Sequence, residues 1–266
     1  MDFKYGFSVK GSLGSLVEED YSFYSTLGCT LYQGFPFNTN RFSREQFKPL
    51  LDKRVTPVAH ELLMTNFASE VDKTRNFSLL VLNQSILNCA YNGISYLIIH
   101  PGSNPNKEQG LAHLSATLER SAELLAPVFK AQPALRLPTI YVETMAGAGS
   151  QLLSDIDGIE NFLNLHFCHD VGLCIDTAHL WGAGITVQQI TEAVYSHPLP
   201  TLIHFNNSST SFGSRKDKHS LLTKGIIPKD YLSNIKNLFN ASPFIFETPI
   251  SSKEEAEAEV CFFNNL

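Results

Sequence analysis

The sequence lacks any apolar run that approaches the ~20 residues of a membrane-spanning helix. Its first residues, Met1 to Tyr5, also lack the basic and then apolar pattern of a secretory signal. Cysteine is scarce, with five among 266 residues, and none of the five forms a Cys-x-x-Cys pair. These absences predict an intracellular protein with reduced thiols, which is neither secreted nor held in a membrane.

Positive charge is also low. The 20 lysine and arginine residues are outnumbered by 26 aspartate and glutamate residues, so the formal net charge is −6 at pH 7. A generic nucleic-acid-binding protein would show an excess of lysine and arginine. The acidic balance does not exclude a nucleic-acid substrate, however, because each divalent cation held by some of those acids would add two positive charges at the site.

The apolar runs predict one domain over residues 1–266. Eight short runs, rich in β-branched or aromatic residues, are typical of buried strands, and helix-like segments separate most of them. Eight such alternations predict a single (β/α)8 TIM barrel with its active site at the C-terminal ends of the strands. An open, doubly wound sheet is the alternative, but no Gly-x-Gly-x-x-Gly turn follows the first strand. The predicted strands are Phe3 to Val9, Cys29 to Gln33, Val55 to His60, Ile94 to His100, Thr139 to Glu143, Val171 to Asp176, Thr201 to His204 and Phe244 to Glu247. The predicted helices are 16–27, 43–53, 72–91, 107–130, 151–165, 187–196, 228–239 and 251–263.

Six of the predicted strands end on a histidine or an acidic residue. In a parallel barrel these ends meet at one rim, so the six side chains should converge. Imidazoles and carboxylates that converge favour a metal site, for zinc above all. The simpler interpretation of any one residue is a helix cap or a solvated loop, but caps are mostly serine, threonine and asparagine. The six residues are His60, His100, Glu143, Asp176, His204 and Glu247.

Two local motifs add further donors. Asp176-Thr-Ala-His179 places a histidine just past the sixth strand, and Asp217-Lys-His219 places two alternating donors after the seventh. Nine candidate ligands then share one rim. Because a single zinc ion uses three or four protein ligands, nine imply more than one ion.

Cations are concentrated beside the second of these motifs. Arg215, Lys216 and Lys218 lie in the same loop, and Lys224 follows shortly after. A solvated loop is one interpretation. The other, which we favour, is contact with the phosphates of a substrate, because arginine and lysine bind phosphate by charge and hydrogen bonding.

These residues resemble the endonuclease IV family of apurinic/apyrimidinic-site repair endonucleases, from His60 to Glu247. The resemblance implies a (β/α)8 barrel with three zinc ions. The matching motifs are His100-Pro-Gly-Ser103, Glu143-Thr-Met-Ala-Gly-Ala-Gly-Ser150, Val171-Gly-Leu-Cys-Ile-Asp-Thr-Ala-His179, Phe212-Gly-Ser-Arg-Lys-Asp-Lys-His219 and Phe246-Glu-Thr248.

The resemblance assigns a role to each of the nine candidate ligands. Glu143 is the catalytic residue, a bridging ligand for the hydroxide nucleophile that two close zinc ions generate from water. The resemblance assigns His60, His100 and Glu143 to the first zinc, Glu143, Asp176, His204 and Glu247 to the second, and His179, Asp217 and His219 to the third.

The resemblance also implies a reaction and a partner. Family members cut double-stranded DNA 5′ to an abasic site, leave a 3′-hydroxyl and trim blocked 3′ ends. We therefore expect a monomeric zinc-dependent hydrolase of base excision repair. Two other functions stay open: a metal-dependent sugar isomerase or epimerase of similar barrel, which would leave Asp217 and His219 without a role, and a non-catalytic binder of damaged DNA.

The chain departs from the usual family pattern outside the ligand positions. Leu63 stands where family members carry a tyrosine that contacts DNA, Asn207 replaces an aspartate, and Lys224 replaces a glutamate. The usual opening Gly-Ala-His-Val-Ser is replaced by Gly6-Phe-Ser-Val-Lys10. These positions surround the ligands or face DNA, so the departures bear on rate and on the choice of substrate.

Overall fold

The structure of the chain is a computed structural model that describes residues 3–13, 18–36, 55–167, 170–197 and 199–266. Its strands are β1 (Tyr5–Ser12), β2 (Leu31–Phe35), β3 (Thr56–His60), β4 (Tyr96–Ile99), β5 (Thr139–Glu143), β6 (Val171–Asp176), β7 (Thr201–His204), β8 (Asn207–Ser208), β9 (His219–Ser220) and β10 (Phe244–Phe246). Its helices are α1 (Glu18–Thr26), α2 (Asp72–Asn92), α3 (Lys107–Ala131), α4 (Ile156–Leu163), α5 (Thr177–Ala183), α6 (Val187–Ser196), α7 (Lys229–Leu238) and α8 (Lys253–Asn264).

Eight of these strands close into a barrel. Their order around it is β1-β10-β7-β6-β5-β4-β3-β2, and every neighbouring pair is parallel. The predicted (β/α)8 barrel is therefore confirmed. Strands β8 and β9 stand apart from the barrel and form an antiparallel pair in which Ser208 lies opposite His219. Because the barrel strands are parallel, their C-terminal ends share one rim.

The barrel interior follows the two-residue period of a strand, in which alternate side chains point to the same face. Every barrel strand except β1 contributes one buried side chain to a single packed cluster, which we call the apolar layer. The next inward-facing position on each strand is two residues nearer the rim. The apolar layer consists of Leu31, Val58, Ile98, Tyr141, Cys174, Leu202 and Ile245.

A larger apolar cluster lies between the barrel and its helices. Its densest part surrounds Phe263 of α8, whose ring centroid lies 5.2 Å from the ring centroids of both Phe244 and Phe246 of β10. Phe3, just before β1, packs against the same ring at 5.5 Å. Each fully buried side chain of this kind contributes ~1.5–3 kcal/mol of transfer free energy. Helix α8 therefore packs over the seam at which β10 pairs with β1.

Helix α4 begins later than the predicted start at Gln151. The Asp155 carboxylate accepts a hydrogen bond from the Gly158 N–H at 2.8 Å and thereby caps a helix that starts at Ile156. An aspartate with an extended backbone is a favoured cap, because it satisfies an N–H group that the first turn leaves unpaired. Gln151 instead pairs with Ser103 in an isolated antiparallel bridge, and residues 152–155 are not helical.

Helix α5 was not predicted at all. Asp176 ends β6 and caps α5 directly, since its side chain accepts a hydrogen bond from His179 N at 2.8 Å. The helix stops after seven residues at Gly184, whose φ of 78° is left-handed. So short an element has too few turns for a periodic pattern to identify it.

Two other expectations concern the helices. The predicted helix from Ser43 to Lys53 lies outside the described residues. Over the ranges that the structure describes, none of the helices combines the length and the apolar character that a membrane span requires. The prediction that residues 1–266 form one domain stays a prediction.

Candidate metal centre

A second layer of side chains, which we call the rim layer, stands two residues beyond the apolar layer. It contains all six residues predicted from the strand ends. It also contains Gln33 of β2, and Ser8 of β1 lies in register with Gln33. The sequence pattern did not single out these two residues, because only histidines and acids mark a strand end as a candidate ligand. The rim layer consists of Ser8, Gln33, His60, His100, Glu143, Asp176, His204 and Glu247.

Glu143 lies at the centre of the rim layer and is 1% exposed. Its Oε2 lies 3.1 Å from Nε2 of His60 and 3.1 Å from Nε2 of His100. Its Oε1 lies 3.1 Å from Nδ1 of His204 and 3.2 Å from Nδ1 of His179. The two oxygens of one carboxylate therefore face two different pairs of imidazoles.

The remaining donors surround the imidazoles on the other side. Nδ1 of His204 lies 3.1 Å from a carboxylate oxygen of Glu247 and 3.9 Å from one of Asp176. The loop residue Asp217 places Oδ1 3.3 Å from Nε2 of His179 and 3.3 Å from Nε2 of His219. All nine residues singled out in the sequence therefore lie together.

The donor atoms fall into groups in which every two atoms lie within 4.8 Å of each other. Two of these groups coincide with the first and second zinc sets expected from the sequence. A third contains His179 and His219 with Asp176, which lies 3.5 Å from His219, so Asp176 stands between the second and the third set. These are three of the five such groups among the described residues: His60, His100 and Glu143; Glu143, Asp176, His204 and Glu247; and Asp176, His179 and His219. The other two are His60, His204 and Glu247, and Glu143, Cys174 and His204.

Two imidazole nitrogens give an independent test of whether a cation fits here. Nε2 of His179 and Nε2 of His219 are buried, and neither has a hydrogen-bond partner among the described residues. Buried polar atoms are nearly always paired, so an unpaired one calls for an explanation. Both nitrogens lie 3.3 Å from Oδ1 of Asp217, in a geometry that forms no hydrogen bond. A cation held by two nitrogens and one oxygen satisfies all three groups, and this donor set suits zinc.

Comparison with known proteins identifies the family. The sequence matches the family profile described as a xylose isomerase-like TIM barrel over residues 23–266. It is 30% identical over 236 residues to the protein named "Probable endonuclease 4" of Mycoplasmopsis agalactiae, and the match covers 82% of this chain and 81% of that one. The chain belongs to the endonuclease IV family. Membership makes it an enzyme, a hydrolase of the nuclease type.

Solved structures share the fold of this endonuclease IV family member. Endonuclease IV from Thermus thermophilus matches with a TM-score of 0.74 at 22% identity, over 98% of each chain. D-psicose 3-epimerase from Clostridium cellulolyticum matches with a TM-score of 0.67 at 11% identity, over 99% of each chain. These two structures therefore show that the barrel is shared by a nuclease and a sugar epimerase.

Hydrogen bonds select one ring nitrogen in three of the candidate histidine ligands of this endonuclease IV family member. Nδ1 of His60 lies 2.8 Å from the Glu61 carbonyl oxygen, and Nδ1 of His179 lies 2.7 Å from the Thr144 carbonyl oxygen. Each carbonyl accepts an N–H, so the other nitrogen of each ring is the one that can bind a metal, and it faces the centre. This is the usual way in which a protein orients imidazole ligands of a metal. For the third histidine, His204, the partner is a side chain instead of a carbonyl.

The imidazoles and carboxylates of the centre shift each other's pKa values. Burial opposes ionisation of Glu143, but the adjacent His204 and His100 hold its pKa well below the usual value. Burial also opposes the charged form of His179, but Asp176 and the other carboxylates raise its pKa well above the usual value. These shifts favour ion pairs between the imidazoles and the carboxylates. A metal ion must displace protons from the imidazoles in order to bind.

The loop that carries Asp217 and His219 is attached to α5, which carries His179. The indole N–H of Trp181 donates to the Thr210 carbonyl at 2.8 Å. In return, the N–H of Gly213 donates to the Trp181 carbonyl at 2.9 Å, and the N–H of Arg215 donates to the Gly182 carbonyl at 2.8 Å. A Cβ at Gly182 would stand 3.0 Å from the Lys216 carbonyl oxygen, so the close approach favours glycine.

The four candidate DNA-contacting cations do not lie together. Arg215, Lys216 and Lys218 are exposed on the loop, and no salt bridge holds them within the described part of the chain. Lys224 is different, because its ammonium group lies 2.8 Å from a carboxylate oxygen of Glu255 at the start of α8. The geometry therefore separates Lys224 from the other three.

The other departures from the family pattern have distinct surroundings. Leu63 is 68% exposed and lines the pocket above the rim, whose volume is about 260 Å³, together with Phe35. Asn207 is buried instead. Its amide donates to the Leu222 carbonyl at 3.0 Å and accepts from Ile227 N at 2.8 Å. Asn207 therefore holds the segment that follows β9, whereas Leu63 lines the pocket above the rim.

Proposed function

We propose that this endonuclease IV family member is a zinc-dependent DNA repair enzyme that hydrolyses the phosphodiester bond 5′ to an abasic site in double-stranded DNA and leaves a 3′-hydroxyl. The observation that carries the proposal is the set of three donor groups at one rim, each with atoms within 4.8 Å of one another. We further propose that the same site trims blocked 3′ ends, and that the protein acts as an intracellular monomer.

The proposed ligands are the nine residues singled out in the sequence, and they serve three zinc ions. Imidazole nitrogens and carboxylate oxygens are donors that zinc accepts readily. When bound, zinc supplies Lewis acidity and lowers the pKa of water toward neutrality. The proposed sets are His60, His100 and Glu143; Glu143, Asp176, His204 and Glu247; and His179, Asp217 and His219.

Glu143 is the proposed catalytic residue because its two oxygens face different groups. Oε2 faces His60 and His100 of the first group, while Oε1 faces Nδ1 of His204 in the second. A carboxylate in this position can bind two cations at once and reduce their mutual repulsion. Asn206 supports the arrangement, since its amide donates to Asp176 at 2.6 Å.

The pocket above the rim supports a substrate without a base. Its wall combines the polar ligands with the apolar side chains of Phe35 and Leu63. An abasic nucleotide has no base to unstack, so its extrusion into such a pocket costs less than the extrusion of a paired base. The exposed cations Arg215, Lys216 and Lys218 would then contact the flanking phosphates.

The proposal is tested by metal analysis followed by one cleavage assay. The purified protein should retain close to three zinc ions per chain, and it should nick a duplex with a single abasic site 5′ to the lesion. An undamaged duplex of the same sequence serves as the control. Intact abasic duplex at high enzyme concentration with three zinc ions bound would refute the proposal. A single bound metal would favour the epimerase function instead, for which the third set has no use.

A further inference from the structure

Gln33 belongs to the rim layer but is not one of the nine proposed metal ligands. Its side chain is fully buried at the end of β2. Of the eight barrel strands, six end at or next to a proposed ligand, whereas β1 and β2 place Ser8 and Gln33 at the matching positions. A buried amide has two donors and an oxygen acceptor that must be paired, so its partners show what it does there.

The Gln33 amide bridges two of the proposed zinc ligands. Its Oε1 lies 2.8 Å from Nε2 of His204, and its Nε2 donates to a carboxylate oxygen of Glu247. The second amide hydrogen is directed at Ser8 Oγ at 3.3 Å. A reversed amide would place its oxygen against the Glu247 carboxylate, and two acceptors would then face each other with no hydrogen between them. The contact with Glu247 therefore fixes the orientation of the amide.

That orientation determines which nitrogen of His204 is free. Because Oε1 of Gln33 can only accept, Nε2 of His204 carries a hydrogen, and Nδ1 is the nitrogen left to bind a metal. Nδ1 is the nitrogen that lies 3.1 Å from both Glu143 and Glu247. The same amide also positions Glu247, whose backbone N–H is held by Asn206 at 2.8 Å.

We propose that Gln33 is a positioning residue for the second donor group. It holds the Nδ1 atom of His204 and the Glu247 carboxylate toward one cation. This inference rests on the proposed function, because it requires that group to bind a metal. Backbone carbonyls orient His60 and His179, and those contacts are insensitive to side-chain changes. His204 differs in relying on a side chain, so its orientation can be removed by substitution at residue 33.

The test compares Gln33→Leu with the unmodified chain and with Gln132→Leu. Leucine keeps similar bulk but neither accepts nor donates. Gln132 lies at the end of α3, is exposed and donates to the Tyr91 hydroxyl at 3.1 Å, so Gln132→Leu is the same chemical change away from the rim. Bound zinc is titrated with a competing chelator in all three proteins, and the melting temperature of each metal-free protein is recorded. Gln33→Met, which has a flexible side chain, replaces Gln33→Leu if the latter does not fold.

We expect one of the three zinc ions in Gln33→Leu to bind about 10- to 100-fold more weakly, as is typical when a partner that orients a ligand is lost. The other two ions and all three ions in Gln132→Leu should keep their affinity. Equal zinc affinity in Gln33→Leu and the unmodified chain would overturn the role of Gln33 and leave the proposed function intact. Equal weakening of all three ions would overturn it too, because a general structural effect would then explain the change. An unmodified chain that binds no zinc would overturn both.

Discussion

Replacing Glu143 with glutamine removes one negative charge from the centre of the site and changes little else in shape. The residue is buried, and both of its oxygens lie 3.1–3.2 Å from imidazole nitrogens. A neutral amide oxygen is a poorer ligand than a carboxylate oxygen, and an amide can offer only one oxygen to two cations.

The size of the effect follows from electrostatics. A unit charge pair ~4 Å apart is worth ~4 kcal/mol at an effective dielectric constant of ~20. Because each ~1.4 kcal/mol changes a rate tenfold, the loss of one such interaction from the transition state slows cleavage about 1,000-fold. Glu143 faces two donor groups, so about 1,000-fold is the lower bound that we expect for Glu143→Gln.

The assay is single-turnover nicking of an abasic duplex by protein whose zinc content has been measured. His113→Gln is the matched control, because His113 lies on α3 and only approaches the Ala68 carbonyl, at 3.4 Å. The control should remain within a few-fold of the unmodified enzyme. Near-normal nicking by Glu143→Gln with three zinc ions bound would refute the idea that this carboxylate bridges two of them.

Three further predictions concern pH, substrate charge and metal removal. In the metal-free protein, the pKa values of three buried histidines, His60, His179 and His204, are raised above 6.5. The pKa values of Glu143 and Glu247 are lowered below 4.5. The stability that the histidines contribute is therefore lost as the pH rises above 6.5, and the stability that the glutamates contribute is lost as the pH falls below 4.5. The melting temperature of the metal-free protein should peak between these two values. A monotonic rise in melting temperature up to pH 8 would contradict this prediction. Lys216→Gln and Lys218→Gln should each raise the KM for abasic DNA, and each should reduce the slope of log binding constant against log salt concentration by about one. Lys224→Gln should change neither quantity. Equal effects of all three substitutions, in nicking assays across a salt series, would argue against contact between the loop and phosphate. Removal of zinc by a chelator should abolish nicking and lower the melting temperature at pH 8. Added zinc should restore both. An unchanged melting temperature would show that the folded state does not bind the metal.

The barrel and most of the site could be predicted from the strand ends. Parallel strands bring their C-terminal ends to one rim by topology alone, so a histidine or acid at each end suffices to place the side chains near each other. Gln33 was missed although the predicted strand ended on it, because glutamine is not a usual zinc ligand. Its role depends on the tautomer of His204, which is distant in the sequence.

Other features depend on contacts that no local pattern records. Asp176 acts as helix cap and as a candidate ligand at once, and only the fold brings it to 3.5 Å from His219. The attachment of the loop to α5 requires the close approach at Gly182, where a glycine in a short helix looks merely unfavourable in the sequence. The ion pair of Lys224 with Glu255 likewise joins residues that are far apart in the chain.

The two-residue offset between the apolar layer and the rim layer limits how the chain can change over evolutionary time. Deleting or inserting one residue within a barrel strand would rotate every later side chain of that strand to the opposite face. After an insertion on β5, Glu143 would point toward the surrounding helices and Val142 into the metal centre, so both folding and chemistry would suffer. Changes in length must therefore accumulate in the connections between the strands, where they leave the reactive centre intact and alter only what approaches it.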